Sequence, residues 1–125
     1  MTMATNTALS SLRRGQPLAA SIPSGRSTHL AWVGVYPLDI ARETTRELLR
    51  NHGQAVPFPT VQVYRIRQFE VDRTLIEQDA SIAEPELENK ANYFAFGEDD
   101  LAEKLRRLGV LVEQLEMPYK SDYPI

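Results

Sequence analysis

From residue 29 onward, apolar and polar positions fall in blocks whose period changes from two to about 3.6 and back. The clearest change lies in residues 92–116. Tyr93, Phe94 and Phe96 form a short aromatic run suited to a pleated, packed surface, and Gly97 breaks it. Asp99 and Asp100 then offer N-cap and first-turn carboxylates, and Asp100 with Glu103 has the spacing of a capping box. Leu101, Leu105 and Leu108 recur at i, i+4 and i+7, an apolar stripe that needs a sheet to cover. Arg106 and Arg107 suit the last turn, and Gly109 supplies a left-handed stop. Val110, Leu111, Val112 and Leu115 return to strand composition before Pro118. The spacing predicts a strand over 92–96, a helix over 98–108 and a strand over 110–116, with the 13 residues 97–109 as a crossover.

Residues 30–36, LAWVGVY, are apolar on both alternating faces, which predicts a central strand covered on both sides. Pro37 ends it. Asp39 is placed to cap a helix over 39–52, with Ile40, Thr44 and Leu48 on one row and Ala41, Thr45 and Leu49 on the next. Arg42, Glu43, Arg46, Glu47 and Arg50 fall on its remaining, solvated surface, and Gly53 provides the stop. The strand at 61–71 keeps Val61, Val63, Phe69 and Val71 on one parity. Arg65 interrupts that face, while Tyr64 and Ile66 point the other way, so a bulge or a mixed edge strand is expected. Residues 72–91 carry no clear period. Leu75, Ile76 and Ile82 suggest an extra element near 73–82 ahead of an acidic loop around Pro85.

The element order is βαββαβ, the scheme of a ferredoxin-like two-layer α+β sandwich with both helices on one face of an antiparallel sheet. Another two-layer α+β arrangement, with residues 72–82 adding a strand, is the alternative. Residues 1–28 differ from the rest, with Arg13, Arg14 and Arg26 as their only charges and no acid. They read as a flexible arm ahead of one α+β domain at 29–125. A composition of Arg and Ser without acids also resembles an organelle transit peptide, but Leu9, Leu12 and Leu18 make no sustained helical face.

The 125 residues, 42% hydrophobic, suffice for one core and no more. No apolar run approaches the roughly 18 residues of a membrane span, so no membrane partner is expected. Lack of cysteine excludes disulfides and thiolate chemistry and makes a reducing, cytoplasmic setting the expectation. The net charge of −3 argues against a phosphate-backbone binder. Tyr64, Arg65, Arg67 and Phe69 likewise lack the glycine–aromatic order of an RNA-binding strand, so no nucleic-acid partner is expected.

No nucleotide-binding, nucleophile-elbow or zinc-protease pattern occurs, and no catalytic residue, metal-ligand set or cofactor is assigned. The one strong charge feature is acidic. Glu77, Asp79, Glu84, Glu86, Glu88, Glu98, Asp99 and Asp100 stand against the single base Lys90, a local charge of −7. An acidic face of this kind steers a basic protein partner. It predicts a small protein-binding inhibitor, concretely an immunity-type protein that neutralises a basic toxin. The alternative is a small-molecule-binding or cofactor-independent enzyme domain, open to homodimerisation through its sheet. There, Trp32, Tyr36, Tyr64 and Phe96 would line an apolar pocket, with His29 or His52 as the acid–base group.

Overall fold

A computed structural model describes residues 5–58, 60–78 and 81–124. Four antiparallel strands form its sheet: β1 (Leu18–Ile22), β2 (His29–Leu38), β3 (Val63–Asp72) and β4 (Glu88–Phe96), side by side in sequence order. Four helices accompany them: α1 (Thr5–Arg13), α2 (Glu43–Asn51), α3 (Arg73–Glu77) and α4 (Glu98–Arg107).

The α+β class is as the sequence predicts, but the strand order is not the interleaved one of a ferredoxin-like sandwich. Two local causes account for the difference. Residues 110–116 form no strand, because their buried positions Val110, Val112 and Leu115 do not alternate, and a 3-10 turn occupies Val112–Gln114. The Gln114 side chain accepts from the Leu111 amide at 2.6 Å and closes that turn. Only Glu116 bridges to the sheet, through Ala19, so residues 97–109 are no crossover between strands.

The second cause lies in the segment expected to be a flexible arm, which instead supplies α1 and the edge strand β1. Ala8 and Leu12, one helical turn apart, are fully buried, as is Leu18 to within 1%. Small residues explain how so weak a signal packs so well: Ala8, Ser11, Ala19 and Ala20 are all buried and let backbones approach closely.

The pleat sorts the core onto two faces. Leu18 and Ala20 of β1, Val33 and Val35 of β2, Tyr64 and Ile66 of β3 and Ala95 of β4 share one face. Ala8 and Leu12 of α1, Leu101 and Leu105 of α4, and Val110, Val112 and Leu115 cover it. The register agrees, pairing Leu18 with Val35, Val35 with Ile66 and Tyr64 with Ala95. On the opposite face, Trp32, Phe69, Val71 and Leu87 meet Leu75 and Ile76 of α3 and Tyr123 of the C-terminal segment. Further along that face, Val63 and Phe94 pack under Leu48 and Leu49 of α2. Helices α2 and α4 thus cover opposite faces rather than sharing one.

Arg65 of β3 sits between these two apolar patches. It is not at a bulge, since β2 and β3 pair without a break, and β3 is interior rather than an edge. The register irregularity falls instead between Gln68 and Glu70, toward β4. The extra element near 73–82 is the five-residue helix α3, capped by Asp72, whose carboxylate accepts from the Thr74 amide at 2.9 Å.

Candidate functional site

The acids singled out in the sequence do not form one surface. Glu88 begins β4 and Glu98 follows its end, and a nine-residue strand separates them by about 30 Å. Four of the eight face cations of this chain. Glu84 accepts from Arg67 at 2.9 Å and from Lys90 at 3.4 Å, and the Arg67 guanidinium holds its carboxyl below the usual range. Glu88 bonds His29 at 2.8 Å and Arg26 at 3.4 Å. Glu98 pairs with Arg13 at 2.8 Å. Asp100 reaches back to the Phe96 amide at 2.9 Å and holds Lys104 at 3.1 Å. Glu86 accepts from the Ala83 amide, while Glu77 and Asp99 are exposed, and Asp79 lies outside the described residues.

The residues of the pocket reading are also dispersed. Tyr64 is fully buried beneath α1 and α4, where burial first and the Glu98 charge second push its phenol up to about 12. Phe96 packs at the α2 end of the opposite face, with the Lys104 ammonium 5.8 Å from its ring centroid. His52 leans on Phe94 with ring centroids 5.2 Å apart and planes tilted by 56°, and His29 is held between the Thr28 hydroxyl and Glu88, both at 2.8 Å. Neither imidazole meets the other aromatics of that set. Among the described residues, no group of three or more His, Asp and Glu side chains is placed to hold a metal ion. No described helix is long and apolar enough to cross a membrane.

Trp32 alone of the expected set lines a substantial cleft. The cleft, of about 760 Å³, lies between the C-terminal segment, α3 and the β1–β2 corner. Leu30, Ile76, Ile82 and the ring of Tyr119 give it apolar walls, and Ser21, Ser81, Ser121 and Asp122 add polar groups at its rim. Its floor is rigid. The Trp32 indole N–H donates to the Ser121 carbonyl at 2.8 Å, which ties β2 to the C-terminal segment. Trp32 leans on Phe69 with ring centroids 6.1 Å apart, and Phe69 on Tyr123 at 5.4 Å. Burial, and then the hydrogen bond to Tyr36, drive the Tyr123 phenol far above its ordinary range. Tyr119 is 72% exposed, an aromatic ring on the rim with little of this chain covering it. A cleft of this size and lining suits one small organic molecule with an apolar body and a few polar substituents.

No family model, curated protein or solved structure matches the chain.

The site therefore rests on its own geometry. Four of its residues, Ile76, Ile82, Tyr119 and Tyr123, come from stretches without a regular period, which is why periodicity did not find them. One signal was present: Tyr119 and Tyr123 follow Pro118 in a tail where an exposed loop would have no need of two aromatic rings.

Proposed function

We propose that this protein is a small-molecule-binding domain whose ligand occupies the cleft beside Trp32. The observation that carries this reading is the convergence of Leu30, Ile76, Ile82 and the exposed Tyr119 ring around about 760 Å³, within the 300–1,000 Å³ range typical of ligand pockets. In this reading the ligand's apolar body lies against Tyr119 and the two isoleucines, and Ser121 and Asp122 orient its polar substituents. The inhibitor reading lacks comparable support, because its acids divide between the two ends of β4 and four of the eight pair with cations of the same chain.

Trp32 is the only tryptophan, so its emission reports this cleft without interference. Titration with the uncharged probe N-phenylnaphthylamine is expected to quench Trp32 saturably. Tyr119→Ala removes an exposed ring, leaves the core intact and is expected to weaken the probe by roughly tenfold. Quenching that never saturates, or that is the same in Tyr119→Ala and in Ile82→Ser, overturns the proposal.

A further inference from the structure

We infer that the ligand of the Trp32 cleft is a protonated amine with an apolar body, its ammonium group held by Asp122, an assignment of ligand class that rests on the cleft being the binding site proposed above.

Three observations on different groups point to a cation. The first is the charge of the walls. Among the residues that line the cleft, Asp122 alone carries a charged side chain, and its carboxylate has no ion pair or hydrogen bond among the described residues. Acids elsewhere on the chain are answered, Glu84 by Arg67 and Glu98 by Arg13. The cations of the two elements that flank the cleft, Arg73 of α3 and Lys120 of the C-terminal turn, do not line it, and the Arg73 guanidinium donates to the Ser27 carbonyl at 3.3 Å. A concave surface with one carboxylate and no cation attracts positive charge.

The second is the direction of the hydrogen bonds already made. The indole N–H of Trp32, a group that can only donate, is taken by the Ser121 carbonyl at 2.8 Å. The Ser121 hydroxyl in turn donates to the Pro118 carbonyl at 3.1 Å. Two donors of the lining are thus occupied within the chain, while the lone pairs of the Ser121 hydroxyl and both carboxylate oxygens of Asp122 remain as acceptors. An ammonium group, which carries donors only, complements that set.

The third is the ring content. Trp32, Tyr119 and Tyr123 all line the cleft, and Tyr119 is 72% exposed. Electron-rich rings attract a cation that approaches their faces, and the same rings accept the apolar body of an arylalkyl or alkyl amine. The carboxylate is also well placed on its backbone. Asp122 closes the turn Pro118–Ser121 in the left-handed conformation, with φ of 58° and ψ of 31°, and the Tyr123 amide bonds back to the Pro118 carbonyl at 3.0 Å. Asparagine adopts that conformation as readily as aspartate, so Asp122→Asn removes the charge and keeps the turn.

The test compares three probes of nearly one shape on the full-length protein: phenylbutylamine, phenylbutanol and phenylbutyrate, cationic, neutral and anionic at neutral pH, each titrated against Trp32 emission. The amine is expected to bind roughly fivefold more tightly than the alcohol, and the butyrate more weakly than either. In Asp122→Asn the advantage of the amine over the alcohol is expected to fall below about twofold, with the affinity for the alcohol unchanged. Raising sodium chloride from about 20 mM to about 500 mM should shrink the same advantage in the parent protein. An amine that binds no more tightly than the alcohol, or an advantage that Asp122→Asn does not reduce, overturns the inference and leaves the cleft as a site for neutral ligands. Absence of saturable quenching by all three probes and by N-phenylnaphthylamine overturns both the inference and the site.

Discussion

Gly34→Ala tests how tightly the C-terminal segment is locked onto the sheet, and therefore whether the Trp32 cleft has a rigid floor. Gly34 lies mid-strand in β2, where alanine is conformationally acceptable, so any cost comes from space. An added Cβ would meet the Tyr123 hydroxyl at 2.3 Å and its ring carbon Cζ at 2.8 Å, and the Tyr36 ring at 3.0 Å. Ordinary contact begins near 3.4 Å, so the phenol has to retreat by roughly 1 Å. It cannot do so freely, because Phe69 backs its ring at 5.4 Å and its hydroxyl bonds that of Tyr36. Overpacking of this kind costs about 1–3 kcal/mol, and breaking the Tyr36–Tyr123 bond adds about 0.5–1.5 kcal/mol. A destabilisation of about 2–3 kcal/mol is therefore expected, lowering the urea midpoint by roughly 1 M. Circular dichroism reads the midpoint, and a red shift of Trp32 emission reports release of the segment that bonds its indole. The decisive control is Tyr123→Ala, in which the same substitution at position 34 should cost at least about 1 kcal/mol less, only the approach to the Tyr36 ring remaining. Equal costs in the two backgrounds, or a Gly34→Ala protein within about 0.5 kcal/mol of its parent, would refute the reasoning.

Leu12→Ala should lose about 2–4 kcal/mol in urea denaturation, because Leu12 is fully buried under the sheet; an unchanged midpoint would mean that α1 is not part of the core. Ser24, Asn89 and Arg26 hold the Glu70 carboxyl below its ordinary value of 4.5, and Glu84 and Glu88 are lowered in the same sense by Arg67 and His29. The unfolded chain takes up these protons first, so this stability is present above about pH 4.5 and is lost as the pH falls below it. Urea midpoints measured from pH 7 downward should show the decline, and Glu70→Gln should make it shallower. Burial lowers the pKa of Arg65, whose guanidinium donates to the Asn92 side chain at 3.0 Å. Arg65→Leu should therefore be neutral or more stable by up to about 1 kcal/mol in thermal denaturation; a clear loss would assign the guanidinium a structural role.

Features set by neighbours within one turn or one pleat were legible in the amino-acid sequence. Both faces of β2 are apolar because both are covered. The stripe of Leu101 and Leu105 lies on the sheet, and Gly53 and Gly109 adopt the left-handed stops expected of them, with φ of 71° and 83°. Features set by distant partners were not. The local charge of −7 takes no account of Arg26, 62 residues before Glu88, or of Arg13, 85 residues before Glu98, yet these arginines bind those acids. The N-terminal segment escaped notice for a different reason. Its buried residues are largely alanine and serine, whose contribution is close approach rather than hydrophobic area, and no periodicity scale weighs that.

Thr45 shows where the two kinds of information meet. Spacing alone puts it between Ala41 and Leu49 on the inward row of α2, and it is indeed buried there with Leu49. What spacing does not reveal is that Arg46 occupies the Ala41 carbonyl, one of those the Thr45 hydroxyl would otherwise use. An inward row of apolar residues would have served the fold equally well. The Thr45 hydroxyl is not among the buried unpartnered groups of the described residues, so valine in its place relieves no buried orphan and threonine is tolerated there at little cost. Thr45→Val should therefore stay within about 0.5 kcal/mol of the parent in thermal denaturation, and a clear loss would assign the hydroxyl a structural role.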